Sequence, residues 1–324
     1  MLWLTPEALE RDRAELDSAA LVTPGASALC SATDWALSAN EALHGRRPLF
    51  AARRDEAWAL LSVGERNRHV GTVIHALEAD WGFACPLLGP DPSAAAALVT
   101  DMLDASPVDW GAVLLTGLSE HHVPAAAEPL SRFGQVAVRD GIRSDVTSLE
   151  GGEDGFWARR SSNFRKALKK QDRLARSGGV DFTLVTANAD DVVSRAIAID
   201  SRSWKSRNHE SIFAVPRYVD FYRRLLRRSE ARGGLRAAFA RFEGRDVAFA
   251  FGAVLGTVFR GFQLGYDGAC ERFGLGNLVQ LELIRRLAAE GTQHYDLGMT
   301  MAYKERWCDR RIELHSVIAI RQRS

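Results

Sequence analysis

The chain has 324 residues, 46% hydrophobic and 26% charged, which is enough for two domains of ordinary globular composition. Its 42 basic and 41 acidic residues leave a net charge of +1, which excludes polyanion binding by overall charge and requires any nucleic-acid role to come from a local patch. The N-terminus has neither a basic segment nor a long apolar core, and the most apolar run, residues 247–255, is too short to span a membrane. We therefore expect a cytoplasmic protein with no membrane span.

The first half of the chain is predicted to open with helices and to continue as a sheet. Thr5-Pro6-Glu7 has the form of a helix start, with threonine as the cap and proline at the first helical position. Runs rich in β-branched and aromatic residues, separated by charged or glycine-bearing turns, predict strands. The predicted helices are residues 5–20, 34–43, 94–103 and 125–133, and the predicted strands are residues 48–52, 57–63, 72–77 and 111–115.

The second half begins with a basic helix predicted over residues 156–176. It carries eight basic residues and a single acidic one, Asp172, with its apolar residues on one face. This pattern fits either a solvated helix face or a docking surface for an anionic partner. The elements predicted after it are strands at residues 180–185, 235–241, 247–254, 258–266, 295–298 and 313–320, and helices at residues 189–205, 217–230 and 278–289.

A glycine loop, Glu271–Asn277, joins a predicted strand to a predicted helix. Glycine lacks the Cβ that keeps a ligand away from the backbone, and a helix N-terminus carries partial positive charge. Together these features make an anion site that suits a diphosphate. Gly274 and Gly276 also fit a second interpretation, in which they only shape a tight strand-to-helix connection.

The order of strand, glycine loop, helix and strand resembles the acyl-CoA-binding core of GNAT-type acyltransferases. In that family a loop of the form (Gln/Arg)-x-x-Gly-x-(Gly/Ala) wraps the CoA pyrophosphate. Both glycines are present here, whereas Glu271 stands where Gln or Arg is usual. The resemblance implies a donor site formed by Leu264, Gly265 and Tyr266 of the strand and by Arg272, Phe273, Gly274, Leu275, Gly276 and Asn277 of the loop.

Residues 145–320 also resemble a narrower group, the double-GNAT, Fem-like acyltransferases that include the BioF2-like, cellulose-biosynthesis-type proteins. The matching stretches are Ser162–Lys166, Ser203-Trp204, Asp296–Gly298 and Tyr303–Trp307. The resemblance implies an α/β (α+β) fold of two tandem GNAT-like domains, each a mixed, mostly antiparallel sheet flanked by helices. Residues 1–145 have prolines in place of the glycine loop and are expected to be a degenerate copy, so the donor site is predicted in residues 146–324.

Acyl transfer from a thioester requires a positioned amine, a route for its proton and a stabilised oxyanion. The resemblance suggests three catalytic residues: Asp296 as general base or amine anchor, Tyr303 as proton donor to the leaving thiolate, and Lys304 as a countercharge for phosphate or oxyanion. Asp296 could instead cap the following turn, and Tyr303 could be a core aromatic. The residues predicted to contact substrate are Trp204, His209 and Trp307.

We therefore expect an N-acyltransferase that moves an acyl group from acyl-CoA, or from an acyl carrier protein, to an amine of a sugar, a peptide or a small molecule. A Fem-type transferase that uses aminoacyl-tRNA remains open because of the basic helix. A non-catalytic scaffold that keeps the fold remains open because of Glu271. The four cysteines lack zinc spacing and no His-Glu-x-x-His motif occurs, so no metal is predicted.

Overall fold

The computed structural model describes residues 2–4, 6–78 and 80–322, and of residues 2–4 and 204 it describes the backbone alone. The predicted cap at Thr5 lies outside the described residues. The strands are β1 (Leu2–Leu4), β2 (Leu49–Arg54), β3 (Ala57–Asn67), β4 (Gly71–Ala76), β5 (Leu87–Leu88), β6 (Trp110–Leu118), β7 (Gly134–Ser148), β8 (Asp181–Val185), β9 (Leu235–Phe242), β10 (Arg245–Leu255), β11 (Val258–Tyr266), β12 (His294–Met299) and β13 (Arg310–Arg321).

Helices lie between these strands, and in the described part of the chain none is long and apolar enough to cross a membrane. Short 3₁₀ turns lie at Ser131–Phe133, Ile212–Ala214, Gly268–Phe273 and Ala302–Lys304. The α-helices are α1 (Pro6–Arg11), α2 (Arg13–Val22), α3 (Ala28–Ser31), α4 (Thr33–Ala42), α5 (Pro92–Asp104), α6 (His122–Leu130), α7 (Gly152–Ala158), α8 (Ser162–Ser177), α9 (Ala189–Asp200), α10 (Trp204–Arg207), α11 (Pro216–Ala231) and α12 (Leu275–Ala289).

The chain divides into two compact units, the first made of Met1–Ser144 with Ile312–Ser324 and the second of Asp145–Arg311. The predicted second domain, residues 146–324, differs from this at its end. The difference arises because β13 pairs antiparallel with β6, with Val317 opposite Leu115 and Ile320 opposite Ala112. A pairing between strands so far apart in sequence leaves no local signal.

The first unit has a mixed, mostly antiparallel sheet in the order β1-β2-β3-β4-β6-β13, followed by the first part of β7. Only β4 and β6 are parallel among these described pairs. Between β4 and α5 the buried carboxylate of Glu78 accepts backbone N–H groups of Trp81, Gly82 and Phe83, at 2.6, 3.2 and 3.2 Å. Those amides are thus occupied by the protein's own carboxylate. That this unit is a degenerate copy of the second stays a prediction.

The second unit has the strand order β12-β11-β10-β9-β8, with the end of β7 beside β12. The pairs β8–β9, β9–β10 and β10–β11 are antiparallel, and β11 and β12 run parallel. Helix α12 covers the sheet and buries Leu278, Leu281 and Ile284 in the same core as Phe259 and Trp307. The predicted fold class, a mixed and mostly antiparallel sheet flanked by helices, is confirmed.

The predicted basic helix, residues 156–176, is wrong as a single element. It is two helices, α7 and α8, interrupted at residues 159–161. Arg160 at the break is 5% exposed, and its guanidinium donates to the carbonyl of Arg306 and forms an ion pair with Asp309. Ser161 then caps α8 by accepting the N–H of Phe164. The interruption therefore follows from a buried ion pair that the local periodicity does not show.

Candidate active site

The site begins where two neighbouring strands separate. Strand β11 pairs with β12 only at Val258, Phe259 and Arg260, and no further pair of these strands occurs within the described residues. The other edge of β11 remains paired with β10 as far as Tyr266, opposite Ala248. The end of β11 therefore presents one edge to open space.

The loop after β11 places glycine where the backbone must turn sharply. Gly274 has φ +65°, a conformation that L side chains rarely adopt, and a Cβ there would lie 2.7 Å from the side-chain amide of Gln171. Helix α12 starts at Leu275, three residues before the predicted start. The N–H of Asn277 donates to the carbonyl of Gly274 at 3.1 Å. A helix N-terminus leaves its other first-turn N–H groups without an acceptor in the helix, so this end of α12 can bind an anion.

A cleft of about 520 Å³ lies between the end of β11 and the start of α12. Six of the nine residues that were predicted to bind the donor line this cleft. Residues from the loop after β12 and from the start of α10 line it as well. Its lining residues are Ser203, Lys205, Leu264, Gly265, Tyr266, Glu271, Gly274, Gly276, Asn277, Gln280 and Tyr303.

Two of the three glycines that line the cleft, Gly265 and Gly276, keep it open. A Cβ at Gly276 would lie 3.2 Å from the ring of Tyr266 and 3.3 Å from a methyl group of Leu264. A Cβ at Gly265 would lie 2.8 Å from the ring of Phe249. Side chains at these two positions would narrow the cleft or displace its wall.

The other three predicted donor residues have different surroundings. Phe273 and Leu275 are buried in the hydrophobic core of the second unit. Arg272 is exposed, and its guanidinium lies 4.7 Å from the centre of the Phe273 ring. Glu271, in contrast, lines the cleft, so a carboxylate stands at the position where the family has Gln or Arg.

Tyr303 lines the cleft, as its predicted role requires. Half of its side-chain surface remains exposed, yet desolvation by the surrounding protein raises the pKa of its hydroxyl to about 12. The hydroxyl therefore keeps its proton at neutral pH and can donate it to a ligand in the cleft.

Asp296 does not line the cleft. It is 4% exposed, and its carboxylate forms an ion pair with the equally buried Arg260, at 2.5 Å, and accepts the N–H of Gly298 at 2.9 Å. These contacts differ from the predicted role of general base or amine anchor. They give Asp296 a structural role, including the turn-capping alternative.

Lys304 is 8% exposed and is not one of the residues that line the cleft. Its ammonium donates to the carbonyl oxygens of Leu297 and Met299, at 2.8 and 2.7 Å. Burial, with a contribution from Arg260, lowers the pKa of Lys304 to about 8. Lys304 thus stabilises the segment after β12, which carries Tyr303. This contact differs from the predicted role of a countercharge for phosphate or oxyanion.

Two of the residues predicted to contact substrate, Trp307 and His209, do not line the cleft. Trp307 is 1% exposed and packs in the core against Phe156 and Phe164, with ring centres 6.1 and 5.0 Å away. His209 is exposed in a turn with φ +60° and does not line the cleft. The side chain of Trp204 lies outside the described part of the structure.

Lys205 is a cleft residue that the sequence did not single out. Its ammonium donates to the carbonyl of Leu264 at 2.9 Å, which ties α10 to the open edge of β11. Burial lowers its pKa, and the carboxylates of Asp200 and Glu210 oppose that shift. The signal available was its position beside the Ser203-Trp204 pair.

Four cations on the outer face of α8 are exposed: Lys166, Lys169, Lys170 and Arg173. None of the four forms an ion pair within the described residues, whereas Arg176 on the same helix pairs with Asp172 and Glu282. The inner face of α8 meets the glycine loop, since Gln171 accepts a hydrogen bond from Asn277 at 3.4 Å. The cationic stripe therefore runs along the helix that borders the cleft.

Comparison with known proteins places this site in a described family. Residues 162–305 match the family model for an acetyltransferase (GNAT) domain, which spans the cleft and α8. No curated protein matches the chain at a significant level.

Solved structures share the fold over nearly the whole chain. FemX is 12% identical with a TM-score of 0.71, covering 98% of this chain and 96% of that one. A conserved protein of unknown function from Bacteroides thetaiotaomicron VPI-5482 is 12% identical with a TM-score of 0.67, covering 99% of each chain. L-PGS from Bacillus licheniformis is 13% identical with a TM-score of 0.61, covering 98% and 93%.

At these identities the solved structures establish the fold, and the family model establishes the domain. The predicted GNAT domain is confirmed for residues 162–305, and so is the predicted class of enzyme, a transferase. Residues 162–305 therefore match an acetyltransferase (GNAT) domain, within a chain whose fold is similar to that of FemX.

Proposed function

We propose that the chain is an N-acyltransferase that binds acyl-CoA in the cleft between β11 and α12 and transfers the acyl group to an amine. The observation that supports this proposal is the cleft itself. One of its walls is the unpaired strand edge Leu264–Tyr266, and the other is the N-terminus of α12, where Gly276 leaves room for a ligand. The helix end suits the diphosphate, and the strand edge suits the extended arm that leads to the thioester.

The chemistry needs few groups because the thioester is already activated. The amine nitrogen attacks the thioester carbon, a C–N bond forms, and the C–S bond breaks with its electrons leaving on sulfur. Tyr303, whose hydroxyl is protonated at neutral pH, donates its proton to the departing thiolate and regains one from solvent. The amine's proton passes to solvent. Asp296 needs no part in these steps because Arg260 already holds its carboxylate.

The acceptor is proposed to be an amine of a sugar, a peptide or a small molecule. The direct test is a thiol-release assay with acetyl-CoA and longer acyl-CoAs against a panel of amino sugars, peptides and small amines. We expect free CoA thiol to appear at a rate that depends on one class of amine. Release that is independent of every amine, or absent with every acyl-CoA, would contradict the proposal.

A second candidate is transfer from aminoacyl-tRNA. The observation in its favour is the stripe of four exposed, unpaired cations on α8, together with the carboxylate of Glu271 in the cleft. Reversal of Lys166, Lys170 and Arg173 to glutamate would then abolish transfer, and RNA would copurify with the protein. A nuclease-treated preparation that is fully active with acyl-CoA excludes this candidate.

A further inference from the structure

Gln280 is the polar exception on the buried face of α12. Of the eight buried residues that the structure describes on this helix, seven are apolar and the eighth is Gln280. It is 4% exposed and lines the cleft. An amide in such surroundings normally has hydrogen-bond partners, because burial removes its water.

The side-chain amide nitrogen of Gln280 has no such partner. It is covered by protein and makes no hydrogen bond with any described residue. The last side-chain bond of glutamine is soft, so a half-turn about it exchanges the positions of the amide nitrogen and the amide oxygen of this cleft-lining residue. A ligand oxygen there would satisfy a donor that the empty protein leaves unsatisfied.

The position of Gln280 indicates which ligand oxygen it meets. It lies four residues after Gly276, so both face the cleft, about 6 Å apart along one turn of α12. In a phosphopantetheine arm the first amide carbonyl follows the phosphate by a few bonds, which is a comparable distance. An amino group is a donor only, so it pairs with an acceptor of the arm, and the distance from the phosphate selects this carbonyl.

We propose that Gln280 is a specificity-determining residue that donates a hydrogen bond to the amide carbonyl nearest the phosphate of a phosphopantetheine arm. This inference rests on the proposed function and names a residue that recognises the phosphopantetheine arm. CoA and acyl carrier proteins share the arm, so the residue serves either donor. It also gives the cleft a preference for an amide-bearing arm over an aminoacyl ester, which has no amide at that distance from its phosphate.

The test is the affinity of Gln280→Met for a ladder of ligands, measured by titration calorimetry beside the unmodified protein. Adenosine 3′,5′-bisphosphate lacks the arm, CoA has the arm and no acyl group, and acetyl-CoA has both. We expect the variant to bind CoA and acetyl-CoA about tenfold more weakly and the bisphosphate with unchanged affinity. We also expect its unfolding temperature to be unchanged or higher, because an unsatisfied donor has been removed.

Each other outcome overturns the inference in a distinct way. A loss confined to acetyl-CoA would move the contact to the acyl group, and a loss that includes the bisphosphate would make the residue structural. No loss with any ligand would remove its role. If the unmodified protein binds neither CoA nor a carrier protein bearing the arm, the proposed function fails as well. Comparison of CoA with that carrier protein identifies the source of the arm.

A second variant tests the donor role of Gln280 through the pH dependence of CoA binding, which a loss of folded protein would not reproduce. Gln280→Glu has nearly the shape of glutamine but only accepts hydrogen bonds when ionised. We expect weak CoA binding at neutral pH that recovers as the pH falls and the carboxyl gains a proton to donate. Binding by this variant that does not change with pH, beyond the change seen in the unmodified protein, would contradict a donor role.

Discussion

Asp296 and Arg260 come from neighbouring strands and form an ion pair that is almost wholly buried, at 4% and 3% exposure. A charge left alone in such a place is costly, because the surrounding protein cannot replace its water. The pair therefore fixes the starts of β11 and β12, from which the two strands separate. Its contribution to the site is to hold the opening in place.

Asp296→Asn is expected to lower the free energy of unfolding by about 3 kcal/mol, because it leaves the Arg260 guanidinium without its countercharge. We expect kcat and the pH–rate profile of the folded variant to change little. Chemical denaturation and steady-state kinetics check the two halves of this prediction. A variant that is stable and inactive would return Asp296 to the role of general base.

A double substitution tests whether Asp296 and Arg260 affect stability mainly through their contact with each other. Replacing both Asp296 and Arg260 with leucine and methionine should cost less stability than either single change, since no unpaired charge remains. Additive losses would show that each residue acts through other contacts.

Tyr303→Phe is expected to lower kcat by roughly 100-fold with little change in the KM for acyl-CoA, since only the proton donor is removed. Tyr218→Phe is the matched control, because it removes a hydroxyl that lies on α11 and does not line the cleft. An unchanged kcat in the first variant, measured by thiol release, would show that the thiolate leaves without help from Tyr303.

Lys304 gives the protein a pH-dependent stability whose sign follows from its pKa. That pKa is about 8 in the folded protein and near its ordinary value of 10.5 in the unfolded chain. Between these two pKa values the unfolded chain binds more protons than the folded protein. The contribution of Lys304 to the free energy of unfolding therefore rises with pH and is lost as the pH falls toward 8. The unfolding free energy between pH 8 and 10 should rise less steeply in Lys304→Met, by at most about 1.4 kcal/mol per pH unit. Equal slopes would contradict the assignment.

The start of α12 is the element on which the donor site depends. Gly276→Trp should abolish CoA binding while leaving the fold intact, because its side chain would extend from the wall near Tyr266 and Leu264 into the cleft. Ala289→Trp, at the exposed end of the same helix, is the control and should bind normally. Unchanged CoA affinity in Gly276→Trp, measured by calorimetry, would place the donor elsewhere.

Elements with strong local patterns could be predicted from the sequence. The predicted bounds of β11, residues 258–266, agree with the structure because β-branched and aromatic residues fill it and Gly256-Thr257 forms the preceding turn. The separate helices α7 and α8 could not be predicted, because Arg160 breaks the run through a partner 149 residues away. Strand β7 was missed for a similar reason, since its polar, mostly exposed first part lacks a strand pattern.

The parts of the candidate site that depend on backbone conformation could be predicted from the sequence. Gly274 and Gly276 have a local signature, and both line the cleft together with the predicted Leu264–Tyr266. Residues whose roles depend on distant partners were not predictable in this way. Trp307 lies in the core because of aromatic residues on α7 and α8, and Lys205 and Gln280 carry no motif that separates them from an ordinary lysine and glutamine.

For the molecule as a whole, the proposed function requires the second unit to hold a CoA thioester in the cleft between β11 and α12. Binding to the folded state alone stabilises it by mass action, about 2.7 kcal/mol at a ligand concentration 100 times the Kd. The stabilisation depends only on the affinity and the concentration, so it does not require the acceptor to be known.

The measurement that tests this claim most directly is the unfolding temperature of the nuclease-treated protein with CoA, acetyl-CoA and long-chain acyl-CoAs, each titrated over a wide range. We expect a rise with every one of these ligands in the unmodified protein and in Ala289→Trp, and no rise in Gly276→Trp. An unfolding temperature that no CoA species changes would contradict it, and a rise produced by aminoacyl-tRNA alone would assign the cleft to the other donor.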